Sequence, residues 1–124
     1  MVMSALILGL AACSKSPTSQ VSSGPPVNPS GPIVTVADYQ FSPDSITITS
    51  GQSVLWSNNG PSAHTVTSNS SSWSSASLGA PSGMDPYGYA TGGGTFSNMF
   101  NTPGTYQYHC SIHAGMTGVV VVTP

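Results

Sequence analysis

An all-β sandwich is the fold class that this 124-residue sequence predicts, and three observations point to it. From Ile33 onward the apolar residues fall in short runs, and Ser45-Ile46-Thr47-Ile48-Thr49 alternates apolar against polar as a half-buried strand must. Gly, Pro and Asn punctuate these runs at close intervals. No stretch of the chain carries a helical period. Several short strands divided by turn signals build a two-layer sandwich, and the length allows one domain.

Taken in order, the chain begins with the apolar run Met1 to Ala12, which closes on Leu10-Ala11-Ala12-Cys13. Twelve residues cannot cross a hydrocarbon core of roughly 30 Å as a helix. The run reads as the apolar region of a signal peptide with small residues at its end. Leu-Ala-Ala-Cys also resembles a bacterial lipobox, which makes Cys13 the expected acylated first residue of the mature protein. Ser14 after it points, by analogy with Gram-negative sorting, to the outer membrane; the outer face of the cytoplasmic membrane is the other expected location.

Residues 13–32 read as a tether, with Ser16-Pro17, Pro25-Pro26, Asn28-Pro29 and Gly31-Pro32 and almost no large apolar side chain. Such a segment buries too little surface to offset its ordering entropy. Ser14 to Pro32 reaches roughly 60 Å when taut and averages about 24 Å as a flexible coil, with proline favouring the longer figure.

The domain is expected over residues 33–124. Ile33 to Val36 is a β-rich first strand, and Ser45 to Thr49 is the second, set between the turns Ser42-Pro43-Asp44 and Ser50-Gly51-Gln52. Ser53 to Ser57, with Leu55 and Trp56, is a third strand that stops at Asn58-Asn59-Gly60-Pro61. His64 to Ser68 is a fourth. Gly94 to Phe100, Gly104 to Cys110 and Met116 to Thr123 complete the set. The run Val119 to Val122 lacks alternation, which predicts a central strand covered on both faces. Asn69 to Gly93 is long for a connection in a compact domain. It reads as a surface excursion, or as a flap whose Trp73, Tyr87 and Tyr89 pack over the domain edge near the end that carries the chemistry.

That chemistry lies in Tyr106 to Met116, where Cys110, His113 and Met116 follow the pattern Cys-x2-His-x2-Met. A thiolate, an imidazole and a thioether are soft and borderline donors, and no hard oxygen ligand accompanies them. Two His and a Cys in a trigonal arrangement, with a weak axial Met, form the blue-copper ligand set. The second imidazole must come from elsewhere, and His64 is the His outside this stretch. Singly, a Cys or Met is most often core filler. In a chain with three His, two Cys and five Met, their grouping around the turn-forming Ala114-Gly115 points to one metal site. Side chains alternate along a strand, so Tyr106 and Tyr108 share the face of Cys110 while Gln107 and His109 point away. His109 is therefore read as a non-ligand.

The segment Gly104 to Val122 resembles the copper-binding end of small cupredoxins of the plastocyanin and amicyanin type, with the short amicyanin-like gap before Met116. The resemblance spans roughly Ile33 to Thr123. It departs from those families at Ile112, where they usually place Pro, and in the long Ser/Gly-rich stretch. It implies a cupredoxin-like Greek-key β-sandwich that holds one type 1 copper through His64, Cys110, His113 and Met116. It further implies that the Thr65 backbone N–H donates to the Cys110 sulfur, and that electrons leave through His113. A redox protein is the expected partner, docking on an apolar patch of Pro61, Ile112, Ala114 and Gly115, and the protein is expected to act as a monomer.

The charged residues are Lys15, Asp38, Asp44 and Asp85, giving a net charge of −2. Nothing in that set suggests nucleic-acid or anionic-membrane binding, and it leaves little field to steer a partner. None of the three Asp lies within the ligand segments. A copper oxidase or nitrite reductase is disfavoured, because such sites need several further His ligands and only His109 remains. A binuclear copper centre needs a second Cys in the loop. The expectation is a non-enzymatic electron carrier, Cu(II)/Cu(I), at the periplasmic side of the cell envelope, with a copper carrier or chaperone as the rival reading and a metal-free adhesive or structural domain as the plain one.

Overall fold

Apolar alternation sets the longer strands, and several of them end where Gly, Pro or Asn interrupts it. The computed structural model describes residues 31–124 apart from Asp85, Gly88 and Tyr89. The run Met1 to Ala12, Cys13 and the tether as far as Ser30 lie outside the described residues. The described residues form the strands β1 Ile33–Ala37, β2 Gln40–Ser42, β3 Ser45–Thr49, β4 Gln52–Asn58, β5 Thr67–Ser68, β6 Gly83–Met84, β7 Ala90–Thr91, β8 Thr95–Phe100, β9 Gly104–His109 and β10 Thr117–Thr123. There is no helix among them. One sheet runs β2-β1-β4-β8, the other β3-β10-β9-β5, and β6 and β7 make a small separate ribbon. Both sheets are mixed: β1 lies parallel to β4 and β3 parallel to β10, and the remaining pairs are antiparallel.

The inner faces meet in one core. Val34 and Val36 from β1, Val54 and Trp56 from β4, Tyr108 from β9 and Val120 and Val122 from β10 are buried there. Trp56 is the hub, with ring centroids 5.4 Å from Tyr108, 5.7 Å from Phe96 and 5.7 Å from Trp73. Offset and edge-on aromatic pairs of this kind add about 0.5–1.5 kcal/mol each beyond their area burial. Tyr108 lies across its ladder partner Gly118, where a Cβ would fall 2.4 Å from the ring. Any side chain at 118 would have to displace that ring.

Three expectations are corrected here. His64 to Ser68 is not a continuous strand: only Thr67 and Ser68 join the ladder of β9, while His64 forms a single bridge to Leu78. The Thr65 amide turns instead to the Cys110 sulfur, which takes it out of any ladder. Asn69 to Gly93 is no loose excursion. Trp73 packs into the core against Trp56, Phe96, Phe100 and Tyr108, and Leu78 is buried beside His64. The ring fills the sandwich rather than covering the metal end. Tyr87 is 85 % exposed, and Tyr89 lies outside the described residues. Finally, β10 is central in its sheet, but Val119 and Val121 are only half-buried while Val120 and Val122 face the core. Pairing on both edges makes a strand central; it does not cover both faces.

Candidate metal centre

The sheets deliver the ligand segments to one end of the sandwich. β9 runs toward that end and stops at His109, so Cys110 is the first residue past the ladder, buried, with its amide bonded to the Met116 carbonyl at 3.0 Å. That bond closes the loop of Ser111 to Gly115, and Gly115 takes the positive φ of 82° that the turn requires. Met116, 1 % exposed, returns the chain to β10. His64 arrives from the other side, fixed by its two backbone bonds with Leu78 at 2.7 and 3.1 Å. The buried Asn58 locks the loop before it: its Nδ2 donates to the carbonyls of Ser62, Leu78 and Gly79, and its Oδ1 accepts from Gly60 N.

Three donor atoms then converge. His64 Nδ1 and His113 Nδ1 are 3.1 Å apart, and Cys110 Sγ lies 3.9 Å from the first and 3.7 Å from the second. The centre of such a triangle is about 2.1 Å from each corner, the length of a metal–imidazole bond and slightly under a metal–thiolate bond of about 2.3 Å. Two imidazole nitrogens and a sulfur at this spacing can share one cation. His64 is fully buried and His113 half-buried, so one imidazole is sealed and the other meets the surface. The donor set, with the Met116 thioether in the same loop, suits copper rather than a hard cation.

The polar surroundings favour a thiolate. Thr65 N–H points at Cys110 Sγ at 3.4 Å, as the resemblance implied, and the Thr65 hydroxyl accepts from Ser111 N at 2.7 Å. Burial works against ionisation of Cys110, but the backbone amides of Thr65, Ile112 and His113 outweigh it and lower the pKa below the usual thiol value. A lowered pKa increases the share of the thiolate, which is the metal-binding form.

His109 stands apart. Its Nδ1 is 2.6 Å from Asn69 Oδ1 on the outer face, while Tyr106 and Tyr108 point inward beside Cys110 as strand alternation required. Around His113 the surface is apolar and exposed: Ile112 is 51 % exposed, and Pro61, Ala114 and Gly115 are exposed too.

Two residues near the donors were not anticipated. Asp38 Oδ1 lies 3.3 Å from His64 Nε2, and the Tyr39 ring stands edge-on to His113 with centroids 5.2 Å apart. Asp38 lies outside the ligand segments in sequence, as do the other Asp residues, and the fold brings it against His64. Its one signal was a charged residue placed at a tight turn in a chain almost without charge.

The family model for copper binding proteins of the plastocyanin/azurin family matches residues 33–123. A plastocyanin from Scenedesmus fuscus is 34% identical over 84 residues, covering 66% of this chain and 85% of that protein. Among solved structures, an oxidised amicyanin variant superposes with a TM-score of 0.62 at 21% identity, over 79% of this chain and 87% of the amicyanin. A copper-containing nitrite reductase from Thermus scotoductus gives 0.63 at 22% identity, and the match takes in 79% of this chain but 23% of the reductase. At these identities the two structures establish the shared β-sandwich.

Proposed function

This chain belongs to the plastocyanin/azurin family of copper-binding proteins, and on that premise we propose that it shuttles single electrons at the periplasmic side of the cell envelope. The observation that carries the reading is the triangle of His64 Nδ1, Cys110 Sγ and His113 Nδ1, with edges of 3.1, 3.7 and 3.9 Å inside a β scaffold. Copper bound there supplies a reversible Cu(II)/Cu(I) couple. Cys110 would supply the strong thiolate donor, His64 and His113 the two imidazole donors, and Met116 the weak thioether donor. The protein's part is to hold the donors in one geometry for both oxidation states, which keeps reorganisation small. The bridge from Leu78 to His64, the amide on the Cys110 sulfur and the closure of the loop by Met116 do this.

Burial of His64, Cys110 and Met116 supports retention of the metal rather than its delivery, which separates an electron carrier from a copper chaperone. Copper enzymes of related fold use additional imidazoles; here His109 is turned away and engaged with Asn69.

Electrons enter and leave through His113, and the partner is a redox protein that docks on Pro61, Ile112, Ala114 and Gly115. Within the described residues the carboxylates are Asp38 and Asp44 alone. With so few charges, and a Debye length of about 10 Å at 0.1 M salt, long-range steering is weak. The bimolecular exchange rate with a small cytochrome should change less than about tenfold between low and moderate salt, with copper retained over repeated cycles. Ala114→Glu should slow it at every salt concentration. A steep salt dependence with an indifferent Ala114→Glu would move the docking surface elsewhere, and loss of copper on reduction would favour the chaperone.

The envelope location rests on the Leu10 to Cys13 signature. Full-length protein expressed in a Gram-negative host should partition with membranes, and Cys13→Ala should release a soluble, copper-loaded domain. A wild type already soluble in the periplasm would refute the lipid anchor.

A further inference from the structure

We propose that the Asp38–Tyr39 turn sets the copper reduction potential, with the Asp38 carboxylate acting as a fixed negative charge on the outer nitrogen of His64. The inference rests on the copper-site reading above and adds to it a residue outside the ligand set. The turn joins β1 to β2, and its two residues touch both ligand histidines: Asp38 Oδ1 meets His64 Nε2 at 3.3 Å, and Tyr39 lies edge-on to His113.

His64 presents Nδ1 to the other donors, so its proton belongs on Nε2, where the carboxylate accepts it. A histidine ligand that donates its second N–H to a carboxylate is fixed in tautomer and orientation and becomes a stronger donor. The stronger donor and the nearby negative charge both favour the more highly charged copper state. The carboxylate therefore stabilises Cu(II) over Cu(I) and lowers the potential. Asp38 is also held from behind, since Ser62 N donates to the same Oδ1 at 3.2 Å. Partial burial of Asp38 opposes its charge, but the hydrogen bonds from Ser62 and His64 outweigh that and keep its pKa below the ordinary carboxyl value.

Two backbone features show that this contact is built rather than incidental. Tyr39 sits at φ 68°, a left-handed conformation that a bulky residue rarely adopts and that persists only where its surroundings hold it. Its ring lies against His113 although Tyr39 is 67 % exposed. Gly60, from the loop that leads to His64, passes so close that a Cβ there would lie 2.9 Å from Asp38 N and 3.0 Å from Asp38 Oδ1. The turn and the His64 loop are fitted to each other with no room for a side chain between them.

The test is the midpoint potential of the copper-loaded wild type, Asp38→Asn and Asp38→Ala by voltammetry at one pH, with visible and EPR spectra on the same samples. Asp38→Asn retains an acceptor oxygen for His64 and removes the charge, so a residue that only props the ring would leave the potential unmoved. The expected result is an upward shift in Asp38→Asn, at least as large in Asp38→Ala, with the copper stoichiometry and the charge-transfer band kept. An Asp38→Asn protein that is fully loaded, coloured as wild type and unchanged in potential overturns the inference and leaves the electron-carrier reading standing. A colourless wild type with Cu(II) overturns that reading instead.

Discussion

Cys110→Ser is expected to abolish the intense visible absorption of the Cu(II) protein. The colour of a type 1 site comes from charge transfer out of a short, covalent thiolate bond, and Cys110 is the one thiol among the described residues. A serine hydroxyl is a hard donor with a far higher pKa, and it cannot supply that transition. The loss extends to stability. A metal present at about a thousand times its Kd and bound only by the folded state contributes about 4 kcal/mol, so the copper-dependent rise in melting temperature should largely vanish in the variant. His109→Ala is the matched control. It removes the imidazole adjacent in sequence, yet its Nδ1 contact is to Asn69 on the outer face, so stoichiometry and colour should be kept. His64→Ala should lose both. Spectra and copper analysis on the three variants check this, and equal copper loss from His109→Ala and His64→Ala would sink the assignment of faces along β9. A colourless, tetragonal Cu(II) wild type would sink the type 1 assignment itself.

Local patterns in the sequence were enough to find β9, β10 and the loop between them, because each depends on neighbours a few residues apart. Alternation put Tyr106, Tyr108 and Cys110 on one face, and the structure buries that face. The Cys-x2-His-x2-Met spacing and its loop were legible for the same reason. What escaped reading depends on partners far along the chain. His64 looked like the start of a strand; its backbone partner is Leu78, which belongs to the stretch that looked structureless. Trp73 sits among serines, with no apolar period to show that it enters the core. Asp38 is 26 residues before His64, and only the folding of β1 beside the His64 loop brings them together. A chain so poor in charge made Asp38 worth noticing, but nothing in one sequence says which way a turn residue points.

Asn58→Ala should be among the costliest single changes in the domain, about 3–5 kcal/mol, although Asn58 touches no ligand. Its side chain is fully buried, and it serves four backbone groups: Nδ2 donates to the carbonyls of Ser62 at 2.8 Å, Leu78 at 2.9 Å and Gly79 at 3.1 Å, and Oδ1 accepts from Gly60 N at 3.0 Å. A buried polar group left without a partner costs about 1–3 kcal/mol, and these groups form one network, so their losses do not simply add. The segments that Asn58 joins are the loop before His64 and the strand-like turn around Leu78 that bridges it. Truncation therefore loosens the sealed imidazole and not just the core. Denaturant unfolding of the copper-free protein should show a lower midpoint at an unchanged slope, since the same surface is exposed. Copper affinity should fall with it, because His64 loses its fixed approach to Cys110 and His113. Asn58→Asp is the sharper variant: it keeps the shape and the acceptor for Gly60, removes both Nδ2 donors and buries a charge. It should be at least as destabilising as Asn58→Ala. A loss below about 1 kcal/mol in both variants, the net worth of one ordinary hydrogen bond, would show that water or a shifted backbone replaces the network and that the His64 loop is held by its bridge to Leu78 alone.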